Sequence, residues 1–195
     1  MDKKLKPIII FTGPSGVGKG TIEKVLFNWE ELKLKLSVSA TTRKPRLGEQ
    51  DGINYFFINK QDFEQRIANN ELLEYSFHFD NYYGTLYSEI ERIHNEGNVP
   101  FLEIETHGAK QILNNPEAKA KYNIITFFVS PPSFEDLQAR ILNRNTETPE
   151  AVKDRLNKAS EELKEKHYFK NQIINDIPER AAEEIKQLIL NEIGN

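Results

Sequence analysis

Ile8-Ile9-Ile10-Phe11-Thr12-Gly13-Pro14-Ser15-Gly16-Val17-Gly18-Lys19-Gly20-Thr21 decides how this chain folds. The apolar run at 7–12 reads as a strand buried on both faces, the glycine-rich stretch as a tight turn, and 19–29 as a helix. Strand, turn and helix in that order are the context in which such a turn binds phosphate. Glycines let the backbone curl until successive N–H groups face one anion, with no Cβ in the way. The helix N-terminus adds partial positive charge, and Lys19 brings a full one to the β- and γ-phosphates of a nucleotide. The strict form of the pattern carries Ser or Thr directly after the lysine. Here Gly20 holds that place and Thr21 follows, so the hydroxyl that ordinarily reaches Mg²⁺ is missing or displaced by one residue.

Outward from the turn, short apolar runs are separated by amphipathic ones. Residues 99–105 (Val-Pro-Phe-Leu-Glu-Ile-Glu) and 123–129 (Asn-Ile-Ile-Thr-Phe-Phe-Val) read as further buried strands, 172–175 as a short one, and 178–193 as a closing helix. Buried strands separated by helices predict an α/β core of three layers, a parallel sheet covered on both faces. Two segments break the rhythm. Residues 39–85 are rich in aromatics, turn residues and short β-like runs such as 55–58, with one helix near 60–69. They read as a small mixed or antiparallel insertion. Residues 131–168 are charged and helical, and Ser133 with Asp136, then Thr148-Pro149-Glu150, are helix-start signals. With little apolar character beyond one face, these two helices suit a mobile flap.

Composition narrows the classes. Of the 195 residues 38% are hydrophobic, enough to build a core. A net charge of −4 speaks against a general nucleic-acid binder, which needs a basic surplus. Without cysteine there is no disulfide frame, thiolate zinc site or Cys nucleophile. The start is charged, and the apolar run at 7–11 is too short for a signal peptide or a membrane span, so the expectation is a cytoplasmic protein with no membrane partner. His78, His94, His107 and His167 show no metal-ligand spacing. The charge run at 161–166 suits a solvated helix face.

The chemistry of the insertion is more specific. Ser39-Ala40-Thr41-Thr42-Arg43-Lys44-Pro45-Arg46-Leu47-Gly48-Glu49 sets two arginines about a proline that limits local freedom, so both guanidinium forks can meet one anion. Farther on stand Tyr55, Glu74 and Tyr82-Tyr83-Gly84-Thr85. Together they compose a pocket for GMP. Guanine shows N1–H and N2–H donors along one edge, which the Glu74 carboxylate can accept, while its O6 calls for a donor such as Ser39 or Thr85. Arg43, Arg46, Tyr55 and Tyr83 offer donors to the 5′-phosphate. Adenine, with an acceptor at N1, would leave a buried Glu74 unpaired. Glu103 and Glu105 close the strand at 99–105, and alternation places both on one face, where carboxylates serve Mg²⁺ through water or the guanine edge. Arg140 and Arg144, four apart, share a helix face, and Arg155 falls on the next helix.

On the phosphate-binding turn, on Ser37-x-Ser-x-Thr-Thr-Arg-x-Pro-Arg-x-Gly-Glu49 and on Asn81-Tyr82-Tyr83-Gly84, the sequence resembles the guanylate kinase family over nearly its whole length. The Gly-Lys-Gly-Thr form of the turn is common among nucleoside monophosphate kinases. The resemblance implies a P-loop core (1–38, 89–129 and 168–195), a GMP-binding insertion (39–88) and a helical lid (130–167). It implies Mg²⁺-dependent phosphoryl transfer from ATP to GMP, with dGMP as a further acceptor, by a monomer or homodimer. Gly13, Pro14, Ser15, Gly16, Val17, Gly18, Lys19, Gly20 and Thr21 would hold ATP, with Asn175 near adenine. Ser39, Arg43, Arg46, Tyr55, Glu74, Tyr83, Gly84, Thr85 and Glu105 would hold GMP. Lys19, Arg43, Arg140, Arg144 and Arg155 would neutralise the transferring phosphoryl group, and Glu103 would anchor Mg²⁺ through water. Glu105 stands where the family commonly has Asp, His107 where it has Gln, Asn145 where it has Gly, and Thr85 where some members have Ser. A catalytically inactive relative that binds proteins is the alternative, against which the intact Lys19 speaks. A kinase for AMP or dTMP is another, opposed by Glu74 and Ser39.

Overall fold

The computed structural model describes residues 5–143 and 148–194. The strand before the turn, β1 (Lys6–Thr12), has Ile8, Ile9, Ile10 and Phe11 all buried. Its side chains alternate, so Ile9 and Phe11 enter one core while Ile8 and Ile10 enter another. A strand of that kind belongs at the centre of a sheet covered on both faces.

After β1 the chain runs through α1 (Lys19–Leu26) and a 3-10 turn to β2 (Leu34–Leu36). β3 (Ala40–Thr41), β4 (Phe56–Phe57), α2 (Lys60–Ala68), β5 (Leu72–His78) and β6 (Asn81–Leu86) follow. Then come α3 (Tyr87–Asn95), β7 (Val99–Glu103), α4 (Thr106–Asn114), α5 (Pro116–Lys121) and β8 (Tyr122–Ser130). α6 (Phe134–Leu142), α7 (Pro149–Lys164), β9 (Asn171–Ile174) and α8 (Pro178–Gly194) complete it. β2, β7, β1, β8 and β9 form one parallel sheet in that order. Ile22 and Leu26 of α1, with Ile185 and Ile189 of α8, pack on the Ile9 face; Ile90, Ala109 and Ile112 from α3 and α4 pack on the Ile8 face. The second sheet, ordered β4-β3-β6-β5, is mixed, with β4 parallel to β3 and the other pairs antiparallel. It has its own small core of Ala40, Phe63 and Leu86.

Two boundaries near the site differ from the sequence reading, each for a local reason. The first helix stops at Leu26 rather than 29, because Asn28 and Trp29 donate to Val25 and Leu26 and tighten the last turn. β7 ends at Glu103, and Glu105 is the N-cap of α4 instead of a strand residue, so strand alternation does not relate the two acids. β2, α3, α4 and α5 were given no bounds in that reading. The two cap signals hold: Ser133 accepts from the Asp136 N–H at 3.0 Å and Thr148 from that of Ala151 at 3.3 Å. Leu137, Ile141 and Ala159 from these helices are buried in the core that α1 and α8 share, which seats them on the sheet. Arg144 and Asn145 lie outside the described residues. Among the described residues, no helix is long and apolar enough to cross a membrane.

Candidate active site

The carboxyl ends of β1, β7, β8 and β9 meet along one edge, where open parallel sheets gather their ligands. There the turn after β1 is fixed by close packing. Gly13 has φ 149° and a Cβ would run into the Val129 carbonyl; Gly18 has φ 98° and a Cβ would stand 2.6 Å from Asn175 Nδ2. α1 begins without an acidic residue in its first turn, which leaves its positive end uncompensated for an anion. Lys19 Nζ donates to the Gly13 carbonyl at 2.8 Å and lies 3.9 Å from Glu103. The Val17 carbonyl accepts from Asn175 Nδ2 (2.8 Å) and from Arg140 (3.1 Å), and Arg140 also reaches the Asn175 carbonyl at 3.0 Å. Asn175, 2% exposed, therefore braces the turn from beneath. Arg155, on α7, donates to Ser15 Oγ at 2.8 Å.

Two cavities adjoin at this edge. One, of about 310 Å³, opens over the turn between Gly13, Ser15 and Lys19 and the α7 residues Lys158 and Glu162. The other, of about 300 Å³, lies against the insertion between Ser39, Arg46, Glu74, Tyr83 and Gly84. Tyr55, Glu103, Ile104 and Glu105 line both.

The second cavity is built around a buried acid. Glu74 is 6% exposed, and its Oε1 accepts from Thr85 Oγ1 at 2.7 Å. Burial pushes its carboxyl up to about 7, with the Thr85 bond pulling the other way. Thr85 gives its one hydroxyl proton to Glu74 and so has none for another acceptor. Gly84 lets β5 and β6 close up, since a Cβ would come within 2.7 Å of the Glu74 carbonyl. Tyr83 is stacked on His78, ring centroids 4.5 Å apart. Arg43 forks onto both oxygens of Glu49 at 2.9 Å, and Glu49 also accepts from the Arg46 N–H at 2.7 Å. Those bonds hold the Glu49 carboxyl down to about 2 and hold the Arg43 guanidinium 5.3 Å above the Tyr55 ring.

Sequence reasoning passed over four of these side chains. Glu49 was quoted only as the end of a motif, although an acid three residues after Arg46 is a signal that could have found it. Lys158 pairs with Glu105 at 2.8 Å across the cleft, so the α7 charges are partly cavity-lining rather than solvated. Glu162 is 8% exposed, its carboxyl raised mainly by burial. Glu23, one turn after Lys19, is pushed up to about 8 by burial and then by the adjacent Glu103, against the pull of Lys19.

Among the described residues, no three His, Cys, Asp or Glu side chains gather into a metal cage. Glu103 and Glu23 beside Lys19, with Glu23 Oε1 buried and unpartnered, fit a hard divalent cation held mostly by substrate phosphates.

A glycine-rich turn opening a helix and a buried carboxylate, set in two cavities with a shared wall, form the arrangement that a nucleoside monophosphate kinase requires. The family model for guanylate kinase matches residues 4–192. The chain is 57% identical to the guanylate kinase of Mycoplasmopsis synoviae over 99% of its length and 98% of that protein's, and 56% identical to that of Mycoplasmopsis pulmonis over 94% and 93%. The crystal structure of guanylate kinase from Anaplasma phagocytophilum is similar at a TM-score of 0.71 and 26% identity, covering 97% of this chain and 87% of that one. The SH3-kinase fragment of tight junction protein 3 shares the fold alone, at a TM-score of 0.53 and 12% identity. The chain belongs to the guanylate kinase family, whose reaction is phosphoryl transfer from ATP to GMP.

Proposed function

We propose that this chain transfers the γ-phosphoryl group of ATP to GMP, with ATP over the Gly13–Lys19 turn and guanine against Glu74. The observation that carries this reading is the pair of adjoining cavities with a common wall of Tyr55, Glu103, Ile104 and Glu105. Two substrates held on either side of that wall present donor and acceptor phosphates to each other. An oxygen of the GMP phosphate is already anionic, so no general base is needed. Catalysis then consists of alignment, charge neutralisation and exclusion of water.

Each side chain takes a role suited to its place. Lys19 supplies charge to the β- and γ-phosphates. Arg155, at the rim of the turn, meets the transferring group. Arg140 and Asn175 keep the Val17 carbonyl turned down, so that the neighbouring N–H groups stay aimed at phosphate. Arg43 and Arg46, ordered by Glu49, receive the GMP phosphate with Tyr55 and Tyr83. Glu74 accepts from guanine N1 and N2, and Ser39 donates to O6. Glu103 would hold Mg²⁺ through water, and the bound ion supplies charge neutralisation at the phosphate oxygens.

An ADP-coupled assay with ATP, Mg²⁺ and one monophosphate at a time tests the reading. GMP should support turnover, dGMP more weakly, and AMP or dTMP at a kcat/KM lower by on the order of 10³-fold or more, because adenine sets an acceptor at N1 against the buried carboxylate and thymine offers one donor, N3–H, flanked by carbonyl oxygens, in place of guanine's adjacent pair. Comparable turnover with AMP would contradict it.

A further inference from the structure

Gly108 is the third residue of α4, buried inside a helix, and it has no left-handed φ that would call for glycine. Only proline forms helix less readily, so a glycine here needs a packing reason. Its surroundings supply one. A Cβ built on Gly20 or Gly194 would meet nothing within 4 Å, whereas the three atoms nearest a Cβ on Gly108 all belong to Glu74. Nearest is Oε2, well inside van der Waals contact, followed by Cδ at 3.1 Å and Cγ at 3.5 Å.

The two partners differ in how far each can move. Glu74 is tied on its other side by the 2.7 Å bond from Thr85. α4 is clamped to β5 three residues further on, where Gln111 Oε1 accepts from the Tyr75 N–H at 3.1 Å and Gln111 Nε2 donates to the Tyr75 carbonyl at 2.7 Å. A methyl group at position 108 would therefore push on the one element able to yield, the carboxylate tip. The backbone would stay in place.

We propose that Gly108 is the positioning residue for guanine recognition: its missing side chain is the slot in which the Glu74 carboxylate stands, and so fixes where the base edge is met. This deepens the GMP reading above and rests on it. Gly108 lines the same cavity but has no side chain to offer a substrate, and it acts through Glu74.

Steady-state kinetics of Gly108→Ala, with GMP and with IMP, which lacks the N2 amine, provide the test. Displacing a charged acceptor of two hydrogen bonds should raise KM for GMP about 10–100-fold. KM for ATP should stay within about twofold, the GMP-over-IMP preference should shrink about tenfold, and the melting temperature should hold or rise with alanine's better helix propensity. In a Glu74→Ala background the same substitution should add nothing further, since the atom it displaces is gone. An unchanged GMP KM and IMP ratio would overturn the proposal, as would an equal loss in the Glu74→Ala background. Should Gly108→Ala alone fail to fold, recovery of the fold on adding Glu74→Ala supports the slot and failure to recover overturns it. A wild-type chain inactive with GMP would instead refute the underlying reading, a result visible before any variant is made.

Discussion

Proton concentration is the most informative perturbation of the acceptor pocket. Burial holds the Glu74 carboxyl at about 7, while the two guanine donors require its ionised form. From that value roughly nine tenths of the free enzyme is ionised at pH 8 and roughly one tenth at pH 6, so KM for GMP should climb about tenfold as pH falls between them. The phosphate of GMP, with a second pKa of about 6, also loses charge over this interval and adds about twofold. Glu74→Gln separates the two: its KM is high throughout and varies only by the phosphate's share. Stability should move the other way. The folded value lies above the unfolded value of 4.5, so the protonated acid favours the folded state. That stabilisation is fully present below about pH 4.5 and is lost as pH rises through about 7, roughly 3 kcal/mol in all. Glu74→Gln should therefore melt above the wild type at pH 8 and level with it near pH 5. Coupled-assay kinetics across pH 6 to 8 and scanning calorimetry measure the two effects. A wild-type GMP KM with the same pH profile as the variant's would refute the reasoning.

Four further substitutions address other parts of the account. Lys19→Met should keep the fold, as shown by an unchanged melting temperature, and lower kcat by at least about 10³-fold in the coupled assay, because a full charge at the transferring phosphate is lost. Glu49→Gln should free the Arg43 fork and raise KM for GMP about tenfold with little change in KM for ATP, a split that initial-rate kinetics resolves. Asn175→Ala removes one of two donors to the Val17 carbonyl and should cost about 1–3 kcal/mol in urea unfolding together with a higher KM for ATP. Phe127→Ala, fully buried on β8, should cost about 3–5 kcal/mol in the same unfolding experiment.

The core was legible because its signals are local. Four buried residues in succession at Ile8–Phe11 followed by glycines at fixed spacing leave few alternatives, and Ser133 and Thr148 mark helix starts by side chains that bond within three residues. Glu74 and Ser39 were singled out through chemistry, since a guanine edge calls for a carboxylate and a donor, and the structure sets both on one cavity. What stayed hidden depends on elements distant in sequence. Nothing near Lys158 announces that α7 will lie across Glu105, and nothing near Asn175 shows that its amide will sit under Val17. Glu105 was misplaced because the alternation rule holds only while the strand continues, and β7 gives way to α4 after Glu103. Thr85 was read as a base contact because its bond to Glu74 crosses between paired strands, a register that no short motif encodes.

Diffraction from crystals grown with GMP would examine most directly the claim that a buried acid reads the base. Electron density should place guanine N1 and N2 at hydrogen-bond distance, about 3 Å, from the two oxygens of Glu74, with the phosphate at Arg43 and Arg46. A base lodged elsewhere, with Glu74 still bonded only to Thr85, would contradict the account.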